Sequence, residues 1–275
     1  MSKILAVFGA TGNQGSSIIT HVLASPTLSS TYTIRAITRD ITASKSKQLA
    51  HIQNIDVVKA DAANRASLET ALTGVHTVFI MTTPFEGPDA EFTTAKTIAD
   101  VAVEKGAQYI IFSTLPAVSE LSGGKYSHVT PFDAKAKAEN YIRGLPIKSA
   151  FYSGGFFMEN FQTQPFLLPK KAEDGTWVLA RPCSGKTLGP YVDAVRDTGK
   201  FVGAILAEPD KYAGKTFCGA AAQYNYEDIA RILSKKTQKK VVFKQISMEE
   251  FGKGIPWMQE VFVDALGFQA EYGYF

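Results

Sequence analysis

Cysteine is almost missing from this chain: Cys183 and Cys218 are the only two in 275 residues. That excludes a disulfide framework and suits a reducing compartment. The four histidines are scattered without metal-ligand spacing, so no metal centre is expected. No apolar run approaches the roughly 20 residues of a membrane span. The N-terminus enters a strand-like run at once, without the basic, apolar and cleavage regions of a signal peptide. The expected location is therefore cytoplasmic, with the nucleus also open. Neither sign of charge dominates: the net charge of +3 is too small and too evenly spread to point to nucleic acid. Internal repeats and low-complexity tracts are lacking as well. What the chain does have is 45% hydrophobic residues at a mean hydropathy of −0.03, enough for a substantial core.

The organising stretch is the first fifteen residues. Lys3 to Phe8 is a short apolar run of the kind buried on both faces of a parallel sheet. Gly9-Ala10-Thr11-Gly12-Asn13-Gln14-Gly15 follows, then Ile18, Ile19, Val22 and Leu23 at helical spacing. Strand, glycine turn and helix in that order form the setting of a dinucleotide site. Gly9 turns out of the strand, Gly12 leaves no Cβ in the path of a pyrophosphate, and Gly15 lets the helix pack closely. The helix N-terminus adds unpaired N–H groups and a positive dipole end. The spacing is Gly-x-x-Gly-x-x-Gly, so support is needed from further along.

Ser25-Pro26 interrupts the helix, and a second strand runs from Thr31 to Thr38. An NAD-binding strand normally ends in Asp or Glu, which holds the ribose 2′-hydroxyl. Here Thr38-Arg39 ends it, with Lys45 and Lys47 nearby, a set that suits a 2′-phosphate. Asp40 keeps NAD from being excluded, and NADP is the expectation. A third strand ends at Asp61-Ala62, where an adenine could rest. Asn64 caps a helix through Leu72. The fourth strand, Val75 to Met81, opens into the loop Thr82-Thr83-Pro84-Phe85, and a fifth runs from Tyr109 to Ser113. Thr130 and Pro131 have N-cap and N1 character for a helix that carries Lys135. A sixth strand precedes Gly155-Phe156-Phe157-Met158-Glu159-Asn160. This alternation predicts an α/β fold, a Rossmann-type doubly wound parallel sheet. Beyond Phe161 the alternation fades, giving residues 1–160 as nucleotide-binding domain and 161–275 as a smaller, interleaved C-terminal α/β lobe. Asp193 and Asp197 are four apart, and helix-dipole complementarity accounts for them better than paired-carboxylate chemistry. Asn160 is open between a bond across the crevice and a cap on the next turn.

Together the glycine stretch, Arg35-Ala36-Ile37-Thr38-Arg39, Phe132-Asp133-Ala134-Lys135, Phe157-Met158-Glu159-Asn160 and Asp193 to Gly199 resemble the NmrA-like family. This is an atypical branch of the short-chain dehydrogenase/reductases, with isoflavone-reductase-like enzymes as near relatives. The resemblance implies an NADP(H)-binding Rossmann fold with a small substrate or partner lobe. It places the pyrophosphate at Gly9 to Gln14 and the 2′-phosphate near Arg39, with Lys45 or Lys47 as helpers. Adenine falls by Asp61 and Ala62, and Thr82, Thr83 and Pro84 line the ribose side. Lys135 contacts the nicotinamide ribose, and Gly155 to Asn160 line the nicotinamide end. Typical members of the wider superfamily use a tyrosine four residues before that lysine as proton donor. None of the eleven tyrosines has lysine at that spacing, and Pro131 stands four before Lys135. Two readings follow: an oxidoreductase in which Lys135 acts without the dyad on a small apolar carbonyl, enone or quinone-like substrate, or a non-catalytic NADP(H) sensor and negative transcriptional regulator. Ser113, Thr114, Tyr126 and His128 are candidate helpers in the first, and the Phe156-Phe157-Met158 wall and the Phe85 loop suit an apolar substrate. The expected partner is accordingly a small-molecule substrate or a regulatory protein, without direct nucleic-acid or membrane binding.

Overall fold

The computed structural model describes residues 2–84 and 87–275. The strands are β1 Lys3–Phe8, β2 Tyr32–Thr38, β3 Ile55–Lys59, β4 Thr77–Ile80, β5 Tyr109–Thr114, β6 Lys148–Gly154 and β7 Phe156–Phe157, then β8 Lys170–Lys171, β9 Trp177–Arg181, β10 Leu188–Val192, β11 Thr216–Gly219, β12 Ala222–Asn225 and β13 Val241–Gln245. The helices are α1 Asn13–Ala24, α2 Pro26–Thr31, α3 Ser44–Ala50, α4 Arg65–Leu72, α5 Pro88–Glu104, α6 Val118–Leu121 and α7 Thr130–Arg143, followed by α8 Asn160–Thr163, α9 Ala194–Ala207, α10 Pro209–Tyr212, α11 Tyr226–Thr237, α12 Met248–Lys253 and α13 Gln259–Tyr272. Among the described residues no helix is long and apolar enough to cross a membrane.

Two compact units share the chain in alternating segments. The first comprises Met1–Leu115, Ala134–Gly154 and Ala194–Gly219; the second comprises Pro116–Asp133, Gly155–Asp193 and Ala220–Phe275. Where the sequence suggests a boundary near residue 160, Ala194–Gly219 belongs to the first unit and Pro116–Asp133 to the second.

In the first unit a seven-stranded parallel sheet has the order β11-β6-β5-β4-β1-β2-β3. Its central strands bury both faces, so residues alternate between two cores. Ala6 and Phe8 join Ile110 and Phe112 on one face, while Leu5 and Val7 join Ile111 and Tyr152 on the other. That explains why these runs read as continuous apolar stretches in the sequence. Helix α9 packs on α1 so closely that a Cβ on Gly199 would stand 2.3 Å from the Ser17 carbonyl oxygen. Two elements depart from the sequence expectation. The Ser25-Pro26 break opens helix α2, with the Ser25 side chain accepting from Leu28 N and Pro26 at the helix start. Strand β11 is short and follows a turn, yet pairs in parallel with β6 along the sheet edge.

The second unit holds two three-stranded sheets, β12-β10-β7 and β13-β9-β8. Leu179, Tyr191, Tyr226 and Val241 form its main core. Helix α13 contributes Phe268 to a smaller cluster with Val118 and Val129. The Ser247 side chain accepts from Glu250 N at 3.0 Å and starts α12, a cap made between residues three apart.

Candidate functional site

Because the strands of the first unit's sheet are parallel, the loops after β1, β2, β3 and β4 all leave from the same edge of the sheet. The registers Phe8↔Ile37, Thr38↔Lys59 and Val7↔Phe79 fix those ends side by side. The strand order reverses between β1 and β4, the position at which open α/β sheets bind ligands.

The glycine loop is built as its residues suggest. Gly9 takes φ +67, and a Cβ there would meet Met81 Sδ at 2.5 Å. Its carbonyl accepts from Gly12 N at 2.9 Å. A Cβ on Gly15 would fall 2.2 Å from that same Gly9 oxygen, so no larger residue lets α1 start here without displacement. Gly12 is different. Its φ of −87 and ψ of 178 are extended backbone open to any residue, and an added Cβ would meet only Gly9 O, at 3.3 Å. The fold therefore makes little demand for glycine at position 12, and its missing side chain leaves the backbone open to close approach. Gln14 adds a further signal: its Oε1 is buried without a hydrogen-bond partner, an acceptor without a donor. Ala10, Thr11 and Asn13 complete the loop and the first turn of α1. A cradle that only glycine leaves open, an unmet acceptor and a helix N-terminus together fit a dinucleotide.

Arg39 lies exposed just beyond β2, without a carboxylate partner among the described residues. Asp40, the residue that kept NAD open, is engaged locally. Its Oδ1 accepts from Thr42 N at 2.8 Å and Thr42 Oγ1 at 2.6 Å, and these bonds hold its carboxyl below the usual range. Lys45, in the first turn of α3, reaches across to the Thr11 carbonyl at 3.4 Å. Lys47 is exposed on the same helix. The Lys45 ammonium thus sits beside the glycine loop, Arg39 lies exposed past the neighbouring strand, and one oxygen of the nearby carboxylate is held in its own turn. After β3, Asp61 also closes a local turn, accepting from Ala63 N at 2.9 Å, with Ala62 half-buried beside it.

The loop after β4 supplies the feature that sequence reasoning missed. Thr82 is buried, Thr83 exposed and Pro84 half-buried; Phe85 lies outside the described residues. Lys135, on α7, donates to Thr82 O at 2.9 Å and Thr82 Oγ1 at 2.8 Å, and pairs with Glu91 Oε1 at 2.7 Å. Thr82 Oγ1 donates in turn to the same Glu91 oxygen at 2.8 Å. Side-chain exposure is 11% for Lys135 and 1% for Glu91, so this is a desolvated ion pair. Burial holds the lysine's pKa below its ordinary value, and the Glu91 charge acts in the opposite sense. An ammonium has three N–H donors, and here all three have acceptors.

The other candidate helpers have structural partners too. In the second unit, Tyr126 donates to Glu271 Oε1 at 2.8 Å, which Lys125 also meets at 2.6 Å. Burial and then this bond push the Tyr126 phenol up. His128 binds Asp264 Oδ2 through Nδ1 at 2.9 Å and its backbone N–H at 3.0 Å, which raises its pKa. Asp133 accepts from Ser119 N at 3.0 Å, and the first carbonyl acceptor of α7 is Val129, so Thr130 is the first residue of the helix and not its N-cap. Ser113 and Thr114 end β5, both buried.

Gly155 to Asn160 lie in the second unit. A Cβ on Gly155 would meet Pro190 O at 2.7 Å, so the pairing of β7 with β10 already requires glycine there. Phe156 and Met158 pack into the core around Tyr191, and Phe157 and Glu159 are half-buried. Asn160 Oδ1 accepts from Gln164 Nε2 at 3.5 Å inside the turn it begins. Asp197 sits in the first turn of α9 and pairs with Lys200 at 2.7 Å.

Comparison with known proteins agrees with this architecture. The chain is 29% identical to the NmrA-like family domain-containing oxidoreductase FrzB of Cladobotryum sp, over 95% of this chain and 82% of FrzB. The structure of NmrA, a negative transcriptional regulator, in complex with NADP superposes with a TM-score of 0.80 at 24% identity, covering 97% of this chain and 82% of NmrA. The NADPH-dependent quinone oxidoreductase QOR2 of Escherichia coli, complexed with NADPH, gives 0.78 at 21% identity, with 99% and 90% covered. The sequence model of the NmrA-like family matches residues 1–275. The chain belongs to the NmrA-like family.

Proposed function

We propose that this protein is an NADP(H)-dependent oxidoreductase acting on a small apolar, quinone- or enone-like acceptor. The observation that carries the cofactor assignment is an exposed Arg39 without a carboxylate partner among the described residues, next in sequence to an Asp40 engaged in its own turn. A guanidinium recognises a 2′-phosphate through charge-assisted hydrogen bonds, and the nearest carboxylate, Asp40, has one oxygen held in its own turn. Lys45 adds positive charge beside the glycine loop. The bound nucleotide supplies a hydride.

The choice of acceptor rests on what the chain offers for proton transfer. Lys135 has committed its three protons, Tyr126 its hydroxyl and His128 its Nδ1. A saturated aldehyde or ketone leaves an alkoxide that needs a well-placed acid. A quinone leaves a phenolate-like oxygen, whose pKa of about 10 lets water supply the proton. QOR2, the quinone oxidoreductase, and FrzB, named as an oxidoreductase, support this reading.

The same shortage of a proton donor favours a second reading. In it the protein holds NADP(H) without turnover and signals its occupancy to a protein partner, as the regulator NmrA suggests. NADPH consumption measured across quinones, enones and saturated aldehydes separates the two. The enzyme reading expects quinones or enones to turn over and saturated aldehydes to fail. NADPH binding without consumption of any acceptor favours the sensor.

A further inference from the structure

We propose that Glu91 is the positioning residue for Lys135, fixing its Nζ against the loop after β4 and keeping it an ammonium. Because Thr82 and Glu91 take all three Lys135 N–H groups, the proposal rests on the reading that Lys135 serves the bound cofactor through its positive charge. Glu91 Oε1 meets Lys135 Nζ at 2.7 Å and accepts from Thr82 Oγ1 at 2.8 Å. Its other oxygen, Oε2, is buried without a partner. The carboxylate's compensation is therefore concentrated on one lysine and one threonine. Desolvation works against a buried ammonium, and a single adjacent anion is what offsets it.

Among the described residues, Glu91 is alone in this role. Along the α5–α7 contact, Lys96, Asp100 and Tyr141 form their own cluster, with Lys96–Asp100 at 2.6 Å and Tyr141 donating to Asp100 at 2.7 Å. Lys137 Nζ stands over the Phe92 ring at 4.4 Å. Asp133 is bonded to Ser119 N. Glu91 is the carboxylate paired with Lys135 among the described residues. Its backbone position helps as well, since Glu91 lies in the first turn of α5, where the helix dipole favours a negative charge. The contact joins two elements far apart in sequence: Thr82 lies two residues past the end of β4, and Lys135 comes from α7. Losing the charge at position 91 leaves the lysine buried without an anion, so it sheds its proton at lower pH.

The experiment is an NADPH titration by fluorescence between pH 6.5 and 9.5 on wild type, Glu91→Gln, Glu91→Asp and Lys135→Met. Wild type is expected to hold its affinity over most of this range. Lys135→Met should bind at least tenfold more weakly, with no added pH dependence. Glu91→Gln should lose affinity at an alkaline limb at least one pH unit below wild type, and Glu91→Asp should move that limb back. If Lys135→Met is weak while Glu91→Gln keeps the wild-type affinity and profile, the role of Glu91 is overturned and that of Lys135 stands. If Lys135→Met binds like wild type, the reading of Lys135 itself fails. A Glu91→Gln that is weak but shows the wild-type pH profile marks a merely structural residue and overturns the proposal. Should Glu91→Gln not fold, the Glu91→Gln/Lys135→Met double variant decides. Restored folding in the double variant supports the pairing, and a double variant no better than the single overturns it.

Discussion

Substituting Gly12 by alanine separates what the fold requires from what a ligand requires. The backbone at Gly12 is extended, and the added Cβ would have one close neighbour, Gly9 O at 3.3 Å. That neighbour needs to yield by only a few tenths of an ångström, so stability should change by no more than about 0.5 kcal/mol. A pyrophosphate is affected more. With the pyrophosphate seated on this loop, the methyl group would stand where a phosphate oxygen approaches, and pushing the anion outward would lengthen the charge-assisted bonds from the backbone N–H groups. Losing one such bond costs about 1.5–3 kcal/mol. At about 1.4 kcal/mol per tenfold, NADPH affinity should fall about tenfold to a hundredfold. Urea denaturation and NADPH fluorescence titration on the same preparation measure both quantities. Gly106→Ala is the control. It has φ +79 and no atom within 4 Å, so it should cost stability and leave NADPH affinity unchanged. Wild-type affinity in Gly12→Ala would refute the placement of the pyrophosphate.

Further outcomes follow from the packing and the ion pairs. Gly199→Ala puts a Cβ 2.3 Å from Ser17 O and 2.6 Å from His21 Cβ, so α1 and α9 have to part. Overpacking of this kind costs about 1–3 kcal/mol, and calorimetry should show the melting temperature falling by about 2–4 °C per kcal/mol. Asp264 raises the pKa of His128, so the stability this pair contributes is fully present below the ordinary histidine value of about 6.5 and is lost as pH rises through the folded value. The melting temperatures of wild type and His128→Asn should therefore differ more at pH 5.5 than at pH 8.5; an equal gap at both would contradict the pairing.

How much of this was legible in the sequence depended on how local the cause was. The β1–glycine–α1 unit is fixed by residues within twenty positions of one another, and Gly9 and Gly15 take the turn and the close helix packing expected of them. The Ser247 cap and the Asn64 cap, which accepts from Ser67 N, are likewise contained within one turn. Glu91 was illegible because its partner lies 44 positions away on another helix, and nothing in its neighbours marks a buried carboxylate. Tyr126 and His128 read as candidate helpers because their carboxylates, Glu271 and Asp264, come from α13 well over a hundred residues later and leave no local sign. Helix α13 itself gave no start signal: Met258 precedes it at φ +52 and no side chain caps it. The Phe156-Met158 run reads as a substrate wall, whereas two of its side chains pack into the core of their own unit. Aromatic residues at a strand's end carry the same pattern for either use.

The central claim, an NADP(H) site with its 2′-phosphate at Arg39, is tested most directly by titrating NADPH and NADH against wild type and Arg39→Gln at fixed salt. The account predicts that wild type prefers NADPH, and that Arg39→Gln weakens NADPH at least tenfold while leaving NADH unchanged. Equal affinity of wild type for the two nucleotides, or an equal loss for both in the variant, would contradict it.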